Sequence, residues 1–501
     1  MRWLAALCIL VGCSRITTTP GDDGSTTTIV LEIGRWPAAQ RIDTILISWT
    51  QGELTVSDTV AISDAEFPFT YDLQLHGTGP IEIAVDAHDV GSFLVGRGTV
   101  ELAADAESGK VMLQGAELQV NNVFAGSQFL TDDFEAVGLQ LAATAGFDTW
   151  MVAFRDECSN CNVYGRRFDG NGIPVYTTFA ATVGQFQLNT VAMASTASPA
   201  LVGLIDRTLA FWDFTDITGT GKGIACRGVD YDGIPTEPVT IMTEAADVVT
   251  ATWLSNTQTA VVTWQQLNSS QVQVVRTMIV RSDCSPFSLP LTVSATTDSA
   301  HRSHVAALDQ RVLYAWIVDG EVHIRTGNDL GELFADEKLL LTRNGSEEID
   351  YVRVATWGSD FAVAVRWSTV TGVGPARIEI QRVSPVGMRL GQPILIAADT
   401  GSDFASNKAF GIASRPDGTL MVVWHVCSEG PGSCDVYGRI VVDGAPTGKP
   451  FIVSTTTQSD QTNPSVAATL DGFVVAWSDF SGTQPDVSGE GVRARIIRPD
   501  L

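Results

Sequence analysis

Three things are scarce in this 501-residue sequence: basic side chains, charge of either sign, and long apolar runs beyond the first dozen positions. Charged residues make up 18% of the chain, below the usual share of about 25%. The 31 Lys and Arg are outnumbered by 57 Asp and Glu, giving a formal charge of −26. Acid of that magnitude repels phosphate backbones and anionic head groups, so nucleic acid is excluded as an expected partner. What it attracts is cations, and Ca²⁺ is the one ion the composition leaves open; no cofactor is otherwise expected. No stretch after residue 12 has the length and apolarity of a membrane-spanning helix. The motifs Gly-Xaa-Ser-Xaa-Gly and His-Glu-Xaa-Xaa-His and a phosphate-binding glycine loop are all missing, which removes the signatures of serine esterases, zincins and P-loop enzymes.

The first thirteen residues are informative about compartment. Met1 and Arg2 form a short positive start, residues 3–11 an apolar run too short to cross a bilayer, and Gly12-Cys13 closes it, the pattern of an export signal. Leu10-Val11-Gly12-Cys13 resembles the lipobox of bacterial lipoproteins. The resemblance implies removal of 1–12, a lipid on Cys13 and, with Ser14 rather than Asp behind it, delivery to the outer membrane on its periplasmic or cell-surface face. More than one acyl chain makes such an anchor stable. Residues 13–26, rich in Thr, Gly and Asp, read as a flexible tether.

Two all-β regions follow. Residues 27–119 hold about seven short alternating or apolar runs separated by Gly, Asp and Pro, the pattern of an immunoglobulin-like or prealbumin-like β-sandwich. From about 120 to 501 the chain repeats itself. One clear copy is Pro464-Ser-Val-Ala-Ala, then Asp471-Gly-Phe-Val-Val-Ala-Trp477, then Val492-Arg-Ala-Arg-Ile-Ile497. An aromatic closes the second strand of every copy, at Phe154, Trp212, Trp264, Trp316, Trp367, Trp424 and Trp477, at intervals of 51–58 residues. That interval fits one four-stranded sheet, and seven such copies predict a seven-bladed β-propeller. The last copy lacks a fourth strand, and the stretch 120–131, with Val123-Phe124 and Phe129-Leu130, is expected to supply it and close the ring. Asp-Gly pairs such as Asp443-Gly444 mark tight hairpins. The second-to-third-strand connections, 213–222, 368–375, 425–435 and 478–490, are long and make one face the candidate binding surface.

The repeat is similar to the Phe-Val-Val-Ala-Trp and Val-Tyr-Gly-Arg-Arg-Phe-Asp type found in tandem in secreted and lipid-anchored bacterial proteins. It is strong in copies one, six and seven and weak in two to five. That family brings no shared catalytic residues, so the resemblance implies architecture and export and no reaction.

Cys8 leaves with the signal and Cys13 takes the lipid. Cys158 and Cys161, and Cys427 and Cys434, occupy the same loop of two different copies, which in an oxidising compartment reads as two disulfide staples. A redox pair would need a helix N-terminus and zinc four converging ligands. Cys226 and Cys284 could pair across neighbouring copies. Asp169-Gly-Asn-Gly172 and Asp230-Tyr-Asp-Gly233 lack the bidentate carboxylate of a calcium loop and read as turns. Ser414-Arg-Pro-Asp-Gly-Thr419 has the wrong spacing for a sialidase Asp-box. His301 and His304, with Asp298, are a weak metal candidate beside the reading as ordinary polar residues.

With no catalytic or metal residues assigned, the leading expectation is a monomeric, non-enzymatic binding or scaffold module that meets a protein or glycan through its loop-rich face. The alternative is a carbohydrate-active enzyme, a glycoside hydrolase or lyase, with carboxylates such as Asp213, Glu429 and Asp479 at the propeller channel.

Overall fold

The computed structural model describes residues 27–499 apart from 36–41, 63–66, 76–78, 89–93, 122–127, 130–140, 144–148, 157–161, 176–184, 371–375, 400–408, 428–433, 483–489 and some single or short stretches. The lipobox, Cys158, Cys161, Asp298 and Glu429 lie outside the described residues. The chain divides into two compact units, Met1–Leu113 and Gln114–Leu501. All described regular structure is β, and no described helix is long and apolar enough to cross a membrane.

The first unit has seven strands, Thr27–Arg35, Thr44–Gln51, Leu54–Ala61, Phe69–Leu75, Ile81–His88, Leu94–Leu102 and Ser108–Gly115. They lie on one hydrogen-bonded path, in which Thr27–Arg35 runs parallel to Ser108–Gly115 and antiparallel to Phe69–Leu75. Strict alternation in Thr44–Gln51 sends Ile45, Ile47 and Trp49 inward, where they join Leu31, Ile83 and Val111 in one core.

Among the described residues the second unit contains seven sheets. Their inner strands are Leu141–Ala143, Ala200–Gly203, Asp247–Leu254, His301–Leu308, Glu347–Trp357, Phe410–Ser414 and Gln461–Ala468. These strands adjoin one another in order, and Gln461–Ala468 returns to lie against Leu141–Ala143. The result is a β-propeller-like all-β fold. Each repeat aromatic sits on the second strand of its sheet, and all seven are buried. A residue of this size removes roughly 150–250 Å² from water. Shared apolar clusters, such as Trp264 with Phe211 and Ile224 of the preceding sheet, tie neighbours together.

The Val-Tyr-Gly-Arg motif has a physical reason at each polar or small position. A Cβ on Gly165 would lie 2.5 Å from Met151 Cε, and one on Gly438 2.9 Å from Met421 Cε, so the glycine admits a methionine from the second strand. The arginine reaches across to the preceding sheet. Arg227 Nη1 donates to the Leu188 carbonyl (2.9 Å), Arg325 to Val293 (3.0 Å), Arg439 to Ile396 (2.7 Å) and Arg495 to Val453 (2.9 Å). In the first sheet Arg166 Nη1 donates to Val120 O (2.8 Å), next to the last sheet's outer strand. Each of these five charge-assisted bonds is worth about 1.5–3 kcal/mol.

The strand that completes the last sheet begins ahead of the stretch 120–131 expected to supply it. Leu118–Gln119 pairs with Gly491–Ile497, and Gln128–Phe129 instead pairs beside Thr149–Asp156 of the first sheet. A carboxylate fixes the register: Glu117 accepts from the Thr456 amide (2.6 Å) and hydroxyl (2.7 Å) and pairs with Arg493 (3.0 Å). The apolar stretch 123–130 misleads because pairing here is decided by this buried anchor rather than by hydropathy.

Two disulfides are present among the described residues. Cys427–Cys434 joins directly opposed residues of adjacent strands, as expected of that pair. Cys226–Cys284 links the second sheet to the third.

Candidate functional site

The inner strands of the second to seventh sheets line a central cavity of about 340 Å³. That size is at the low end of small-molecule pockets, roughly 300–1,000 Å³. Strands build it. The expected loops do not: 213–222 is largely a hairpin, Arg207–Asp216 turning into Lys222–Asp230 with the Asp216 carboxylate accepting from Thr218 and Gly221, and the other long connections are only partly described.

In a chain of charge −26, the described cavity lining contains Arg353 and His304 and no carboxylate. Arg353 comes from the fifth sheet, where Glu347–Trp357 crosses the middle of the molecule. The residue is 5% exposed, and its guanidinium donates through Nη1 to the Val352 carbonyl (3.0 Å) and lies over the rings of Tyr351 (5.2 Å) and Phe410 (6.0 Å). No ion-pair partner for it exists among the described residues. Burial, with Arg302 nearby, lowers its pKa to about 10, against a smaller opposing effect of Tyr351.

His304 comes from the fourth sheet. The Val354 amide donates to its Nδ1 (3.2 Å), so that nitrogen is the acceptor and the proton of the neutral ring sits on Nε2. Burial first, and the Arg353 charge second, push its pKa down to about 3, so the ring is neutral at physiological pH. Arg353 and His304 therefore present N–H donors to the cavity. Trp253 of the third sheet adds an aromatic wall whose indole N–H has no hydrogen-bond partner among the described residues.

A repeated backbone irregularity shapes the start of these strands. Register shifts occur after Asp247, His301 and Thr462, and Val248 (φ 49°), Arg302 (φ 53°) and Asn463 (φ 53°) each adopt the left-handed region. Non-glycine residues rarely sit there, least of all a β-branched one. Such bulges re-aim side chains: Arg302 is turned over Tyr351, 4.4 Å from the ring. Behind it Arg366 and Asp350 form a buried ion pair. His425, 3% exposed, has no hydrogen-bond partner on either ring nitrogen among the described residues, and burial followed by the Arg366 charge lowers its pKa to about 3.

The expected channel carboxylates are elsewhere. Asp479 is buried against Arg493 (2.6 Å) near the closing strand, Asp213 lies on a second strand, and neither lines the cavity. His301 and His304 do not belong to a metal cluster among the described residues. Sequence reasoning passed over Arg353, Tyr351 and Trp253; the available signal was an arginine set between Val352 and Val354 of an inner strand.

No protein-family model matches the sequence, and no curated protein matches it. Solved structures are similar in fold. One titled as an ulvan lyase of a new polysaccharide lyase family is 12% identical, with a TM-score of 0.46 over 77% of this chain and 95% of that one. The phage phi92 endosialidase is 7% identical, with a TM-score of 0.43 over 77% of this chain and 70% of that one. The Trypanosoma rangeli sialidase is 10% identical, with a TM-score of 0.38 over 77% of this chain and 56% of that one. At such identities likeness speaks to fold alone. The titles of these neighbours run against the expectation of a non-enzymatic binding or scaffold module, which is withdrawn; any argument for the enzyme alternative has to come from the cavity.

Proposed function

We propose that this protein is a carbohydrate-active enzyme, and that the central cavity is its substrate site. The carrying observation is the strand-built cavity in which Arg353 and His304 offer unspent donors beside the Trp253 ring. Polar donors fixed in a concave site with an aromatic wall suit hydroxyl-rich rings, which present both polar edges and apolar faces. The carboxylate pair that glycoside hydrolysis commonly needs is missing from the described lining, which favours the lyase form of this reading over the hydrolase form.

The architecture that holds the site is, on this reading, a seven-bladed β-propeller closed by Leu118–Gln119, with the first unit an immunoglobulin-like or prealbumin-like sandwich. Support comes from the return of Gln461–Ala468 to Leu141–Ala143 and from the arginine bonds at the sheet junctions. The lipobox resemblance supports an outer-membrane lipid anchor on Cys13, which would set the enzyme at the cell envelope.

The test is turnover of a polysaccharide panel by the full chain, scoring new reducing ends and, separately, the ultraviolet absorbance of unsaturated products. Release of reducing ends from at least one polymer is expected, accompanied by absorbance if the lyase form holds. A panel without turnover overturns the reading.

A further inference from the structure

The lining of the cavity is opposite in electrostatic character to the rest of the chain. We propose that Arg353 and His304 form a carboxylate-recognition subsite, so that the polymer this protein takes is an acidic one built of uronate-type sugars. This rests on the reading of the cavity as a carbohydrate site and narrows it to a substrate class.

Four observations converge. A buried guanidinium with no carboxylate partner is costly: uncompensated burial of an ion amounts to several kcal/mol. Arg353 is in that condition at 5% exposure, while the chain carries 57 Asp and Glu that could have neutralised it. Its one hydrogen bond uses Nη1, and guanidinium has five N–H donors in a planar fork that matches a carboxylate. His304 is held with Nε2–H outward because Nδ1 is occupied by the Val354 amide, so it adds a neutral donor that cannot itself repel a cationic neighbour. Finally, Arg302, stacked on Tyr351, acts on Arg353 as a neighbouring positive charge, and the Arg366–Asp350 pair is neutral overall. An anionic ligand would be attracted into a cavity that an acidic surface otherwise screens from anions. A planar carboxylate suits the fork, and a tetrahedral sulfate ester is the competing anion.

The experiment measures binding by the full chain of a uronate polymer, the same polymer after reduction of its carboxyls to alcohols, a sulfated neutral galactan and a neutral glucan. Tenfold or greater weakening on carboxyl reduction is expected, and this comparison needs no variant. Arg353→Gln should abolish that discrimination and Arg353→Lys should restore part of it, since lysine keeps the charge and loses the fork. Equal binding of the polymer and its carboxyl-reduced form overturns the inference, as does preference for the sulfated galactan. Binding of the neutral glucan alone overturns this inference while leaving the carbohydrate reading intact. Binding of none of the four, together with no turnover, brings down both.

Discussion

The fourth and seventh sheets share a construction and part company in what they offer the cavity. Both begin their inner strand with a bulge whose second residue is left-handed, Arg302 in one and Asn463 in the other. Two residues on, the fourth sheet presents His304 and the seventh Ser465. The seventh uses its buried charges for closure, with Arg493 held between Glu117 and Asp479. In the fourth and fifth sheets, by contrast, Arg302 and Arg353 both lie over the ring of Tyr351. The bulge thus recurs in sheets put to different uses: in the seventh the buried charges tie the sheet together, and in the fourth the bulge turns Arg302 over Tyr351.

Removing carboxylates should separate the two regions most strongly. Asp350→Ala takes the carboxylate from Arg366, a guanidinium only 2% exposed, and should cost about 3–5 kcal/mol. Asp479→Ala leaves Arg493 its second carboxylate, Glu117, and should cost clearly less. Denaturant midpoints of the two variants check this, and equal losses would erase the distinction drawn between the sheets.

A second, smaller effect concerns pH. His304 and His425 have folded-state pKa values pushed down to about 3, by burial foremost and then by Arg353 and Arg366 respectively. Unfolded histidine binds its proton near 6.5, so between about pH 6.5 and 3 the unfolded chain takes up protons that the folded one refuses. Their contribution to stability is therefore intact above pH 6.5 and is lost as pH falls toward 3. A His304→Asn, His425→Asn double variant should show a flatter acid limb in thermal melts than the parent. An unchanged limb would mean that neither ring is held neutral.

Much of the fold was legible because the repeat is written in apolar chemistry. Seven buried aromatics at near-constant spacing, strand alternation and Asp-Gly turns such as Asp443-Gly444, where both residues have positive φ, mark sheets by local rules. The closing strand was misplaced because 118–120 is short and its pairing is fixed by the Glu117 carboxylate, a contact between residues more than 330 positions apart. The site was harder still. An arginine or histidine in a strand ordinarily reads as a solvent-facing residue, and only the ring of inner strands brings His304, Arg353 and Trp253 from three sheets to one cavity. The acids favoured from sequence, Asp213 and Asp479, were conspicuous for their position after the anchor aromatics, which is where a sheet is tied to its neighbours and not where the cavity opens.

The most direct test of a cationic cavity in an acidic protein is a crystal structure of the full chain soaked with a short oligouronate. The account predicts sugar density in the central cavity with a carboxylate forked onto the Arg353 guanidinium and within hydrogen-bond distance of His304 Nε2. Density confined to the outer surface, or a cavity sugar whose carboxylate points away from Arg353, would contradict it.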